Sequence, residues 1–173
     1  MNLNPPLRQL FPRSALLVAL DDDMSCFVMC KCAMLIGCWH RMQWPIAFLR
    51  RTPADGTTTA RHKKQGFSEA GDLVFDLAEP CPWTDPQFRE VLADFGTASV
   101  TLAGSGLHDV LLGTAIGASA IGIPATIVTD AVQGREPRGA ESGRSNEALF
   151  SLLEPFALLA PTTAFVSTMA SGV

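Results

Sequence analysis

The side chains in this sequence with chemical potential are carboxylates, one well-placed histidine and a glycine-containing turn. They fall at the ends of stretches that read as strands. Asp21 and Asp22 follow the apolar run Ser14–Leu20, Asp76 and Glu79 lie at the close of a third strand, and Asp130 ends a fifth. Between the last two, Gly104-Ser105-Gly106-Leu107-His108-Asp109 turns from a fourth strand into a helix. A carboxylate half-buried at a strand end can have its pKa raised enough for acid–base work. His108 is placed to act as a general base with Asp21, Asp22 or Asp109. It also reads simply as a polar residue facing solvent at a helix start. Backbone amides of the 104–109 turn would favour an anion or a developing oxyanion, so Ser105, Gly106 and Asp109 are binding candidates beside Asp22 and Asp76. Asp109 equally suits the positive end of a helix dipole, and Asp21 to Asp23 can be solvated turn residues. The turn lacks the third glycine of a dinucleotide fingerprint, which would fall at Asp109, and it lacks a Walker lysine. A nucleotide is not expected.

The elements that must position these groups alternate. Ser14–Leu20 (SALLVAL) is a continuous apolar run, as a central parallel strand covered on both faces requires. A helix is predicted over Ser25–Gln43, apolar nearly all round, and Trp44-Pro45 ends it. Strands follow at Ile46–Leu49, Asp72–Leu77, Ala98–Ala103 and Pro124–Thr129. Helices are expected over Pro86–Phe95, with Asp85 as cap and Pro86 at its first position, and over His108–Ile121, closed by Gly122. A last helix is read at Asn146–Leu159 and a last short strand at Thr163–Ser167. Polar loops are expected at Arg50–Gly71 and Gln133–Ser142. Strand–helix alternation with right-handed crossovers implies an α/β fold: three layers, doubly wound, with a mostly parallel sheet of about six strands and helices on both faces. Ligands of such sheets bind outside the strands' carboxyl ends. The 173 residues fit one domain, with residues 1–12 as a flexible arm.

Composition narrows the function classes. The net charge is −4 with no long basic run, so no nucleic-acid partner is expected. Met1–Pro12 has no continuous apolar core, so no secretory signal is read there and a cytoplasmic location is expected. Val110–Val128 is uncharged over about the length of a bilayer span, but Gly122-Ile123-Pro124 breaks it and its end is β-branched. A buried helix, a turn and a buried strand account for it better than a membrane span. Cys26, Cys30, Cys32 and Cys38 crowd one predicted helix, with Cys81 apart. The spacings are not those of paired zinc ligands, so reduced thiols and no metal are expected.

The element order and several motifs resemble the isochorismatase-like family, also called the cysteine hydrolases, over nearly the whole chain. The resemblance is carried by Ala15-Leu-Leu-Val18 before an acidic residue, by Trp44-Pro-Ile-Ala-Phe48, by Gly71-Asp-Leu-Val-Phe75 and Phe88-x-x-x-Leu92. It is strongest over Val100–Val132, at Leu102-Ala-Gly104, Thr114-Ala115, Gly122-Ile-Pro and Asp130-Ala131. It implies a triad of aspartate, lysine and cysteine. Asp21 matches the aspartate, one residue later than an ungapped alignment, which meets Leu20. The lysine position near the end of strand three holds Asp76 and Leu77, and the cysteine position holds Val110. Valine cannot attack a carbonyl, so a thioester route is closed there. The family's isochorismatases dispense with the cysteine, their aspartate protonating a vinyl ether. Cys81, in the loop after strand three, is the replacement thiol to consider. Two functions stay open: a hydrolase of small amides or vinyl ethers using Asp21 with His108, or an inactive protein that binds a small molecule or a partner on the same fold. The resemblance also implies a homo-oligomer, for which helix Val110–Ile121 offers a small-residue face. It calls for no cofactor.

Overall fold

The computed structural model describes residues 14–20, 24–51, 72–134 and 142–170, without the side chains of 142–145 and 168–170. Six strands form one sheet: β1 (Ser14–Leu20), β2 (Ile46–Arg51), β3 (Leu73–Leu77), β4 (Ser99–Ser105), β5 (Ala125–Gln133) and β6 (Leu158–Ala160). Their order is β3-β2-β1-β4-β5-β6 and every neighbouring pair is parallel. The helices are α1 (Cys26–Met42), α2 (Pro86–Asp94), α3 (Leu112–Ala120), α4 (Ser142–Leu153) and α5 (Thr162–Ala170). The expected doubly wound α/β architecture is therefore present, and its sheet is parallel throughout.

The pleat of β1 explains the three layers. Ala15, Leu17 and Ala19 face one side, where they join Phe88 and Leu92 of α2, Ala115 and Ala118 of α3, and Leu153 of α4. Leu16 and Val18 face the other, against Val28, Leu35 and Trp39 of α1 and Phe165 of α5. A strand buried on both faces has no room for polar alternation, hence the SALLVAL run. The uncharged stretch from Val110 resolves into helix, turn and strand. No helix among the described residues is long and apolar enough to cross a membrane.

Local chemistry sets the element ends. Ser25 caps α1 through Val28 N–H, and Asp85 caps α2 through Gln87 N–H. Helix α3 ends in a Schellman turn: Gly122 N–H donates to the Ser119 carbonyl and Ile123 N–H to that of Ala118, with Gly122 at φ 76°.

Several boundaries differ from the sequence reading. Strands β2, β4 and β5 run on through Arg51, Ser105 and Gln133. Asp130 therefore lies within β5, not beyond it, and Asp76 lies within β3. The last strand is Leu158–Ala160, inside the predicted final helix, because α4 stops at Leu153 before Pro155. The predicted strand Thr163–Ser167 lies in helix α5. That helix is fixed from a distance: Asp130 accepts from Thr162 N–H at 2.6 Å and from its hydroxyl at 2.7 Å.

Asp130 also pairs with Lys31 of α1 at 3.0 Å, so it ties β5, α1 and α5 together. Burial acts against its charge, but the two Thr162 donors and Lys31 outweigh it, and the carboxyl titrates below its usual range. A depressed carboxyl pKa contributes stability that is present above the unfolded value near 3.9 and lost as pH falls through the folded value. Asp130→Ala is therefore expected to lower stability at pH 7 by about 1–2 kcal/mol, the range of a lost helix cap. Urea titrations from pH 7 to pH 3 should show the gap between wild type and variant narrowing below about pH 4.

Candidate functional site

The carboxyl ends of β1, β2, β4 and β5 meet on one edge of the sheet, and the groups with chemical potential gather there. Strand β4 delivers the central ones. Gly104 has φ 103°, and a Cβ on it would stand 2.1 Å from the Ala19 carbonyl oxygen, so only glycine lets β4 pass this close to β1. Ser105 is buried and its hydroxyl donates to that same carbonyl at 3.4 Å. Gly106, at φ 76°, reverses the chain into a π turn, Leu107–Leu111, continuous with α3. Thr114 supports the turn from below: its buried hydroxyl donates to the Val110 carbonyl at 2.5 Å.

This turn separates the two candidate side chains it carries. Asp109 leans toward β2. Its Oδ1 accepts from Val110 N–H at 2.5 Å, and its Oδ2 meets an Arg51 guanidinium nitrogen at 3.6 Å. Since β1 lies between β2 and β4, that ion pair spans the line of β1. His108 leans the other way. A Cβ on Gly134, just past β5, would lie 2.2 Å from His108 Cε1 and 2.8 Å from Asn146 Oδ1 of α4, so the half-buried ring is seated against that glycine. The structure thus joins Ser105, Gly106 and Asp109 around one turn and sets His108 on its β5 side. Asp21 and Asp22 lie outside the described residues.

Asp76 stands further along the edge, on β3. It faces its register partner Arg50 and pairs with it at 2.8 Å, largely exposed. Neither arginine stands out in the sequence, because the apolar stretch of strand two stops at Leu49 and the polar run that reads as a loop starts at Arg50. The strand-end rule would have found them had the strand been carried two residues further.

Val110, matched to the cysteine position only by the sequence resemblance, is 4% exposed and packs in the core behind Gly106. Cys81 lies elsewhere. Its sulfur lies 2.8 Å from where a Cβ of Gly117 would be, so Cys81 packs on α3 seven residues along from Val110, roughly 10 Å at the helical rise. Cys32 is buried under β5, its thiol directed at the Ala131 carbonyl at 3.6 Å, and burial raises its pKa to about 12. It is neutral and unreactive at pH 7. Cys26 and Cys30 are exposed on α1. No group of three metal-ligating side chains occurs among the described residues. An open groove of about 600 Å³ lies at the opposite end of the sheet, between Pro124 and the segment Glu154–Leu159. Glu154 is its single ionisable lining residue, so it does not share in this chemistry.

The fold is that of a doubly wound α/β protein with an all-parallel sheet. Solved structures narrow the class to the isochorismatase-like fold. An isochorismatase from Pseudomonas putida KT2440 superposes with a TM-score of 0.77 at 17% identity, covering 88% of this chain and 89% of that one. A cysteine hydrolase from Pseudomonas syringae pv. phaseolicola gives 0.75 at 12%, covering 93% and 94%. A ribonuclease from Caenorhabditis elegans gives 0.72 at 19%, covering 94% and 84%. No family model and no curated protein sequence matches the chain.

Proposed function

We propose that this chain binds a small molecule at the carboxyl ends of β1, β2 and β4 and does so without the covalent thiol chemistry of the cysteine hydrolases whose fold it shares. One observation carries the reading: Val110, the residue of the π turn after β4 that the sequence resemblance matches to the nucleophile, is a buried valine. A hydrocarbon side chain forms no thioester. By the same resemblance Asp76 and Leu77 stand where the lysine would lie, and Asp76 pairs with Arg50. Ser105, the 106–109 turn, Arg51 and Asp109 supply donors and charges for a polar ligand.

A second reading keeps turnover. His108 is half-buried at this edge, a setting that suits a general base, and Asp21 follows directly on β1. In that case the chain hydrolyses a small amide or vinyl ether by acid–base steps with no covalent intermediate. Purified protein assayed on a panel of small amides and isochorismate, beside Asp21→Asn and His108→Ala, separates the two. The binding reading expects no turnover in any of the three proteins and ligand-induced shifts at Ser105 and Asp109 in NMR spectra. Turnover that falls at least 100-fold in either variant, the usual loss for a general acid or base, would replace it with the second. Trapping of an acyl-enzyme by mass spectrometry would sink both.

A further inference from the structure

The Asp109 carboxylate sits in a setting made for a carboxylate. One oxygen accepts the Val110 backbone N–H and the other faces Arg51. Among the described residues this 3.6 Å ion pair is the one polar contact of Arg51, and both side chains are close to half exposed, 44% and 47%. An exposed pair of this length holds weakly. The guanidinium fork is shaped to take both oxygens of a planar carboxylate, and Asp109 gives it one, at long range. Arg51 ends β2, whereas Asp109 lies four residues beyond β4, so the pair reaches over the end of β1. That places it at the carboxyl ends of the strands, where ligands of parallel sheets bind.

We propose that Arg51 selects a small molecule bearing a carboxylate and that Asp109 is its internal substitute, displaced when the ligand's own carboxylate takes the guanidinium. This rests on the small-molecule reading above and adds the ligand's charge and the residue that reads it. No bond is made or broken: Asp109 exchanges its partner for water, and the ligand's two oxygens take the fork. Asp76 does not compete, because it is held by Arg50 in register on the neighbouring strands.

The test uses the full chain with benzoate and its neutral isostere benzamide, each titrated by NMR into wild type, Asp109→Asn and Arg51→Gln. All three proteins are first checked for unchanged melting temperature, as exposed side chains should allow. Asp109→Asn removes the internal competitor, so benzoate should bind about two- to fivefold tighter, the range an exposed ion pair sets. Arg51→Gln should weaken benzoate roughly tenfold, and benzamide should be indifferent to both. Arg51→Lys should fall between, having charge without the fork. Benzoate binding that is unchanged or weaker in Asp109→Asn would overturn the proposal, while benzamide binding at the same residues would leave the small-molecule reading standing. Failure of both probes to shift any residue of this edge in any variant would count against both.

Discussion

Gly104→Ala is expected to destabilise the protein by about 3 kcal/mol or more, from two independent costs. A left-handed backbone costs an L-residue roughly 1–2 kcal/mol. Forcing an added methyl into a closed site costs about 1–3 kcal/mol more. The second cost belongs at its upper end here, because the methyl would meet backbone: the Ala19 oxygen at 2.1 Å, its nitrogen at 2.8 Å and its carbonyl carbon at 2.9 Å. No rotamer change relieves a clash with the central strand, so β1 and β4 must separate. Gly122→Ala is the control. Its φ of 76° imposes the conformational cost, but nothing lies within 4 Å of the added methyl. It should cost only about 1 kcal/mol. Thermal unfolding should place Gly104→Ala roughly 6–12 °C below wild type and Gly122→Ala within about 4 °C. Equal losses in the two would mean that β4 is not pressed against β1 as described.

The contrast between these glycines shows what was legible in the sequence. Gly122 follows an apolar helical stretch and precedes Ile-Pro, so its role as a helix stop could be read from local pattern alone. Gly104 looked like the first residue of a turn. Its actual work, letting β4 continue past β1, depends on a neighbour 85 positions away and leaves no local trace. The same division runs through the fold. Long elements with strong periodicity, β1 and α1 above all, were readable because their burial is dictated by the layers. The final segment was not. Leu158–Ala160 is a three-residue edge strand too short to carry a pattern, and Thr162–Ala170 is rich in β-branched residues that favour strands. It is helical because Asp130, distant in sequence, caps it.

The candidate site divides the same way. Its location followed from the rule that ligands meet parallel sheets at strand carboxyl ends. Which side chains meet there did not follow. His108 and Asp109 are adjacent in sequence, yet the π turn sends one toward β5 and the other toward β2. Arg51 joins Asp109 only because β2 runs two residues further than its apolar stretch. Neither fact is encoded in the spacing of the residues concerned.

The other large effect is expected at Trp39, the side chain that fixes α1 against the sheet. It is fully buried and donates its indole N–H to the Ser14 carbonyl at 2.8 Å, at the start of β1. Its ring packs edge-on to Trp44, with centroids 5.8 Å apart, and tilted against Phe165 of α5 at 5.7 Å. One residue thus joins α1, α5 and the first turn of the central strand. Trp39→Ala should cost about 3–5 kcal/mol, the usual range for a large aromatic removed from a core. That is a large share of the 5–15 kcal/mol that holds a typical domain folded. Trp39→Phe separates the contributions. It keeps most of the ring contacts but leaves the Ser14 carbonyl without this donor, a loss of about 1–3 kcal/mol. Urea unfolding of the three proteins checks both figures. A Trp39→Phe variant as unstable as Trp39→Ala would assign the stabilisation to the hydrogen bond, and one equal to wild type would assign it to packing alone. The carboxyl end of β1 lies at the far end of the same strand, so loosening α1 at Ser14 should leave the local contacts of Ser105 and Asp109 in place. Their NMR shifts in Trp39→Phe are expected to match wild type.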